Sequence, residues 1–179
     1  MDVEKTLQSL QEQLQDVTDA RKDKLSMVVF SGDMDKLLAA FIIATGAVAM
    51  GLEVVMFFTF WATPALRDKK KKGKGKDLLG KMFGFMLPRG ASKVTLSKMH
   101  MGGMGTAMMK NLMKKKNVSS LDEMIELAGE LGVRIFICEM SMDLMGFSME
   151  EIIDYPDLES VGVATFLQEA SDSKIQLFI

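Results

Sequence analysis

Two short apolar segments on either side of an apolar helix constrain the fold of this chain more than any other feature. We predict buried strands at residues 24–30, KLSMVVF, and at residues 53–59, EVVMFFT. Between them, residues 34–50 form a predicted helix, with Ser31 or Asp33 as its cap. Strands that are apolar throughout are buried on both faces, and a helix between two such strands joins them in parallel. The pattern therefore predicts an α/β fold in which helices cover a parallel sheet.

The second half of the chain continues this alternation. Ser120 and Glu123 have the spacing of a capping box, which predicts the start of an amphipathic helix over residues 121–131. The remaining predicted elements are a strand over 133–137, a helix near 159–170 and a last strand over 174–178. Together with the first unit they complete a single α/β sandwich.

The N-terminal segment is predicted to be a separate amphipathic helix over residues 2–22. Its apolar residues recur every three or four positions, at Val3, Leu7, Leu10, Leu14 and Val17. This spacing is typical of a short coiled coil and favours self-association. Packing of the helix on its own domain would also cover the apolar stripe. We therefore divide the chain into an N-terminal helix, residues 1–23, and an α/β domain, residues 24–179.

Charge is distributed unevenly along the chain. Residues 67–116 contain fifteen of the 22 Lys and Arg residues but only two of the 24 acidic residues, a net charge of +13, and the remainder carries −15. We predict that the stretch at 67–76, RDKKKKGKGK, is a flexible loop that opens an insertion over residues 67–120. The basic block suits a solvated insertion that balances an acidic body within an oligomer. It also suits a surface for an acidic partner or an anionic membrane.

The insertion is also rich in methionine, with eight of the 18 Met residues between residues 77 and 116. We predict two helices here, about 77–86 and 105–116, around a Gly-rich turn. Met residues of this kind form adaptable surfaces for a partner or a membrane interface, or fill an irregular core. Nucleic acid is disfavoured as a partner, because the basic block offers only Phe83 and Phe85 for base stacking.

The sequence predicts a cytoplasmic protein. A single cysteine excludes a disulfide within the chain and suits a reducing compartment. The N-terminus is polar and acidic, unlike a signal peptide. The longest uncharged run, residues 37–52, is shorter than the roughly 20 residues that span a bilayer. A buried core helix explains this run better.

Cys138 is the principal candidate for reactive chemistry. It follows the predicted strand at 133–137 and precedes a predicted helix, so it lies where parallel sheets place their ligands. A helix N-terminus lowers the pKa of a thiol, although the adjacent Glu139 opposes this effect. A buried, inert cysteine fits the same pattern. If the thiol is reactive and accessible, it could accept sulfur as a persulfide without a base or a metal, beside the thioethers of Met140, Met142 and Met145.

Three long segments resemble the DsrE/DsrF-like family of sulfur-relay proteins. They are CEMSMDLMG at 138–146, GDMDKLLAAFIIATGAVAMGLEVVMFFTFW at 32–61, and KMHMGGMGTAMMKNLMKKKNVSSLDEMIELAGELGV at 98–133. The resemblance extends over about residues 25–178 and is greatest to the subgroup with a long basic, Met-rich insertion. It implies a three-layer flavodoxin-like fold and homo- or hetero-oligomers. It also implies that Cys138 carries persulfide sulfur between a donor and an acceptor protein, and we therefore predict that its thiol is accessible.

Further residues are candidates for the crevice at the carboxyl ends of the strands, where Cys138 is expected. Asp33 and Trp61 follow the first and second strands, so we expect both at its edge, although Asp33 also suits a helix cap. Ser141 and Asp143 lie in the first turns after Cys138. There they could form hydrogen bonds at the site or only pair with the free N–H groups at the start of the helix. The candidate binding residues are Met140, Ser141, Met142, Asp143, Gly102, Gly103, Gly105, Asp33, Trp61 and His100.

The residues of the insertion are compatible with two other functions, small-anion binding and Cu(I) binding. Gly102, Gly103 and Gly105 precede a predicted helix and could bind a small anion, including an anionic sulfur donor. The soft ligands that select Cu(I) are also present, at Met99, His100, Met101, Met104 and Cys138. We nevertheless expect no resident metal or cofactor.

Overall fold

The computed structural model describes residues 3–19, 22–71, 73 and 78–179. Within these residues one sheet of five parallel strands forms, in the order β4-β3-β2-β1-β5. The strands are β1 Lys22–Val29, β2 Glu53–Phe58, β3 Arg134–Cys138, β4 Leu158–Val161 and β5 Ser173–Phe178. The α-helices are α1 Val3–Asp19, α2 Met34–Ala49, α3 Leu78–Met86, α4 Met104–Lys115, α5 Leu121–Glu130, α6 Glu139–Met145 and α7 Val163–Ser171.

Helices cover both faces of the sheet, which confirms the predicted three-layer α/β architecture. Alternate residues of β2 point to opposite faces, so Met56 belongs to one core and Phe57 to the other. The first core contains buried side chains of α2 and α5, including Phe41. The second lies under α7, where the rings of Phe57 and Phe166 stack with centroids 4.8 Å apart. The long uncharged run is thus a core helix, as predicted.

The strands and helices lie close to their predicted positions, with one error. Residues 159–170 were predicted to be a helix, but Leu158–Val161 forms the edge strand β4 and α7 begins only at Val163. Gly162 separates the two elements as the N-cap of α7. The strand is short and contains Glu159 and Ser160, so its apolar pattern is too weak to be read from the sequence.

A polar network joins α7 to the sheet. The ammonium group of the buried Lys24 lies 2.8 Å from Glu169 and 2.7 Å from Asp172. Arg134 donates to the same Glu169 carboxylate through both terminal nitrogens. Buried cations need such paired carboxylates, because desolvation otherwise disfavours the charged form. The network therefore fixes α7 against β1 and β3.

Both predicted helices of the insertion are present, as α3 and α4. α3 packs on α6, where Gly146 has a φ of +65° and an added Cβ would lie 2.5 Å from the Cα of Gly80. Before α3, the buried Arg67 donates to Glu151 at 3.0 Å and lies over the ring of Phe147. The insertion is therefore attached firmly to the α/β body at both points.

Some predictions fall partly outside the described residues. The basic loop at 67–76 is described only at residues 67–71 and 73, where Lys71 pairs with Asp154 at 2.6 Å. The N-terminal helix is described over Val3–Asp19. The division into residues 1–23 and 24–179 stays a prediction. Among the described residues, no helix combines the length and apolar composition that a bilayer-spanning segment requires.

Candidate functional site

The carboxyl end of β3 places Cys138 at the edge of the sheet where loops and helices begin. Cys138 is the last residue of β3 and pairs with Val161 of β4. On the other side, Ile137 pairs with Phe58, the last residue of β2. Continuing this register by one residue brings Thr59 beside Cys138, on the face that α7 covers. Two strand ends thus bring a thiol and a hydroxyl together.

Ser141, in the first turn of α6, completes a polar cluster with Thr59. Their hydroxyl oxygens lie 2.8 Å apart, and the backbone N–H of Phe60 donates to the Ser141 oxygen at 3.0 Å. Phe60 has a φ of +45°, a left-handed conformation that is costly for a bulky residue. The structure therefore holds Phe60 in a strained conformation in which its N–H is directed at Ser141.

These groups change the acidity of the thiol. Burial alone would raise the pKa of Cys138. The hydroxyl and N–H of Ser141 favour the thiolate, with smaller contributions from the Thr59 hydroxyl and the Met140 N–H, and they outweigh burial. The pKa of Cys138 therefore lies below its ordinary value.

The thiol is less accessible than the sequence predicted. Cys138 is 4% exposed and packs in the second core with Phe136, Val161 and neighbouring apolar residues. Its side chain points to the α7 face because residues alternate along β3. The prediction of an accessible thiol is therefore wrong for the single chain. The lowered pKa favours the thiolate, and burial shields it from solvent.

The other candidates on α6 lie at different depths. Ser141 is fully buried, and Met142 is also buried, with the Ser160 hydroxyl 3.9 Å from its sulfur. Met140 and Asp143 point towards solvent. Only Ser141, among the hydroxyl and carboxyl groups predicted on this helix, acts on the thiol directly.

Asp33 and Trp61 lie at the same edge of the sheet. Asp33 follows β1, and Trp61 follows β2 within a 3₁₀ helix over Phe60–Leu66. An added Cβ on Gly32 would overlap the carbonyl oxygen of Trp61, so the two strand ends are in close contact. The Asp33 carboxylate accepts from Ser31 at 2.9 Å and pairs with Lys36 at 2.8 Å. It makes no side-chain capping bond to α2.

The Gly-rich turn is closed by hydrogen bonds of its own. The His100 ring lies 3.1 Å from the Thr106 hydroxyl, and the N–H groups of Gly103 and Gly105 both donate to the His100 carbonyl. Two of the three glycine N–H groups that an anion site would use are thus already paired. No hydrogen bond or ion pair between described residues joins this turn to Cys138.

The predicted soft-metal ligands of the insertion are mostly exposed side chains. Met99, Met101 and Met104 are exposed, and His100 is bonded to Thr106. Within the part of the chain that the structure describes, no three His, Cys, Asp or Glu residues converge on one point. The geometry around Cys138 instead consists of hydroxyl and backbone donors, which suit a thiolate.

Sequence reasoning missed Thr59 and Phe60. Thr59 ends the predicted strand 53–59 and Cys138 follows the predicted strand 133–137. Pairing these two segments at their carboxyl ends would have placed Thr59 next to the thiol. The strained backbone of Phe60 has no such signal, because it is imposed by tertiary contacts.

These features define a class: α/β proteins with a parallel sheet and a thiolate-stabilising site at a strand end. The fold resembles the crystal structure of the ychN protein from E. coli, with a TM-score of 0.51, 14% identity, and coverage of 87% of this chain and 98% of that one. At that identity the likeness concerns the fold alone.

The chain belongs to the DsrE/DsrF/DrsH-like family, whose model matches residues 21–178. This confirms the resemblance found in the sequence. This chain is 48% identical to the uncharacterized protein YrkE of Bacillus subtilis, over 87% of this chain and 96% of that protein. It is 38% identical to the sulfur carrier protein DsrE2 of Allochromatium vinosum over 87% of this chain and 98% of that protein.

Proposed function

We propose that this protein carries sulfane sulfur as a persulfide on Cys138 and passes it to the thiol of a partner protein. The observation that carries the proposal is the cluster of Ser141 and Thr59 around Cys138, which favours the thiolate. Thiolate is the nucleophilic form of cysteine. The likeness to a sulfur carrier over nearly that protein's whole length supports the same role.

The chemistry needs no external oxidant or reductant. The Cys138 thiolate attacks the outer sulfur of a hydropersulfide, the S–S bond of the donor breaks, and the donor leaves as a thiolate. Cys138 then holds the sulfur as a persulfide. In the second step the acceptor thiolate attacks that outer sulfur, a new persulfide forms on the acceptor, and Cys138 returns to thiolate. Each step exchanges one S–S bond for another.

The burial of Cys138 restricts the donor. A thiol that is 4% exposed favours small sulfane donors, such as inorganic polysulfide, over a persulfide held on a folded protein. Loading places the reactive outer sulfur about 2 Å from Sγ, so a partner's thiol attacks an atom other than the buried Sγ.

Intact-mass spectrometry after incubation with polysulfide tests the proposal. The folded wild type should gain a sulfur-sized adduct that Cys138→Ser lacks and that a small acceptor thiol removes. Ser171→Ala serves as a control, because it removes an exposed hydroxyl that bonds only within α7. An adduct that persists in Cys138→Ser, or a folded wild type that gains none, contradicts the carrier role.

A further inference from the structure

Two helices present apolar stripes that the single chain leaves uncovered. On α4, Met104, Met108 and Leu112 follow one another at intervals of four residues and are each about half exposed or more. On α1, Val3, Leu7 and Leu10 recur at intervals of four and three residues and are each more than half exposed. Such stripes are normally buried against another helix.

The two helices carry opposite charge. α1 contains four acidic residues and one lysine, a net charge of −3. α4 contains three lysines and no acidic residue, a net charge of +3. Pairing α1 with another α1, or α4 with another α4, would bring like charges together along the whole contact. Only the mixed pair combines apolar contact with charge complementarity.

We propose that α1 of one copy packs on α4 of a second copy of this chain. Each copy offers one helix of each kind, so a closed symmetric assembly forms the same contact at least twice. Repetition matters because α4 has only 12 residues and a single short helix pair is weak. This assigns an occupant to part of the basic insertion: the acidic partner is the N-terminal helix of a neighbouring copy.

Polar substitutions in each stripe test the pairing. Wild type should scatter light as more than one 19.8 kDa chain per particle at micromolar concentration. Leu7→Gln with Leu10→Gln, and separately Met104→Gln with Met108→Gln, should each weaken self-association on the order of tenfold or more. The control is Ile42→Gln with Met50→Gln, which alters two exposed apolar side chains of the α2 region and should leave the assembly intact.

Cross-linking identifies the contact itself. In a Cys138→Ala background, one preparation carries Leu10→Cys and another Met108→Cys, both near the middle of their helices. Mixing them under mild oxidation should give a disulfide-linked dimer of the two variants, in higher yield than Leu10→Cys mixed with Met50→Cys. Equal yields overturn the proposal.

Two further outcomes would assign the stripes to other occupants and overturn the proposal. One is a monomeric wild type in which the doubly substituted chain, Leu10→Cys with Met108→Cys, forms its disulfide internally. The other is a monomeric wild type that sediments with vesicles containing phosphatidylserine and loses this binding in the Met104→Gln, Met108→Gln variant. Circular dichroism of every variant confirms that the helices remain folded.

Discussion

The hydroxyl oxygens of Thr59 and Ser141 lie 2.8 Å apart although 82 positions separate the residues in the chain. One hydroxyl must donate to the other, and the Ser141 oxygen also accepts the N–H of Phe60. The remaining hydroxyl proton is then available to the Cys138 sulfur. A thiolate receives this hydrogen bond better than a neutral thiol, because bonds to charged acceptors are stronger. The pair thus links the end of β2 to the acidity of the Cys138 thiol at the end of β3.

Removing these hydroxyls should make Cys138 harder to ionise. Thr59→Val and Ser141→Ala each leave burial in place and remove a group that holds the pKa of the thiol low. The pH at which the iodoacetamide alkylation rate rises should therefore move upwards, and the rate at pH 7 should fall several-fold. Thr45→Val is the control, because its hydroxyl bonds only to the backbone of its own helix. A uniform fall in rate at every pH, without a shifted inflection, would indicate loss of structure instead.

The position of Cys138 could be predicted from the sequence, and its surroundings could not. An apolar run that ends at residue 137 places the thiol at a strand end wherever the strand lies in the sheet. Its partner Thr59 depends on which strands are neighbours and on their register, and a single sequence does not contain this information. The exposure of Cys138 depends in turn on α7. Because α7 is distant in sequence, its packing over Cys138 cannot be predicted from local patterns.

The buried pair of Arg67 and Glu151 should contribute strongly to stability. Arg67→Met leaves the Glu151 carboxylate without the guanidinium that it binds at 3.0 Å, a loss typical of about 3–5 kcal/mol in the free energy of unfolding. Adding Glu151→Leu should recover much of that loss, because no charge is then left buried. Urea unfolding measures both variants. Lys71→Met, which breaks a far more exposed pair with Asp154, should cost about 1 kcal/mol or less. A similar cost for both single variants would contradict this account.

Composition and periodicity predicted four of the five strands, including the edge strand β5, but not the edge strand β4. The predicted strands at 24–30 and 53–59 are mostly apolar and are buried in the structure. The strand predicted at 174–178 alternates apolar and polar residues, which is the pattern of a half-exposed strand. β4 has only four residues, pairs on one side and includes Glu159, so its existence depends on β3. Arg67 shows the opposite failure: its place in a basic tract predicts a solvated loop, whereas pairing with Glu151 draws it into the core.

Acid should weaken the attachment of α7. Arg134 and, to a smaller extent, Lys24 lower the pKa of Glu169, and Lys22 together with Lys24 lowers that of Asp172 to about 2. A depressed carboxyl pKa stabilises the fold above the unfolded value, and the stabilisation is lost as pH falls through the folded value. The free energy of unfolding of wild type should therefore fall between about pH 4 and pH 2.

The matched variants for this pH dependence are Lys24→Met and Lys174→Met. Each removes one positive charge, but Lys24 is buried between Glu169 and Asp172, whereas Lys174 forms an exposed pair with Asp23. Urea unfolding across pH 2–5 should give a shallower acid loss for Lys24→Met and a wild-type slope for Lys174→Met. Parallel curves for all three proteins would show that the network does not control acid stability.

Gly146 should be sensitive to the addition of a single methyl group, because two effects act there together. Its φ of +65° is left-handed, which costs a non-glycine residue roughly 1 kcal/mol, and the new Cβ would lie 2.5 Å from the Cα of Gly80. Gly146→Ala should therefore lower the thermal midpoint by several degrees, since about 1 kcal/mol corresponds to about 2–4 °C in a domain of this size. Gly46→Ala provides the matched control: Gly46 lies inside α2 with nothing within 4 Å of an added Cβ, so the same change should stabilise by about 0.5–1 kcal/mol. Differential scanning calorimetry of the two variants should give midpoint shifts of opposite sign. A midpoint of Gly146→Ala that does not fall would mean that α3 moves away from α6 at little cost, and that the insertion does not hold the helix that follows Cys138.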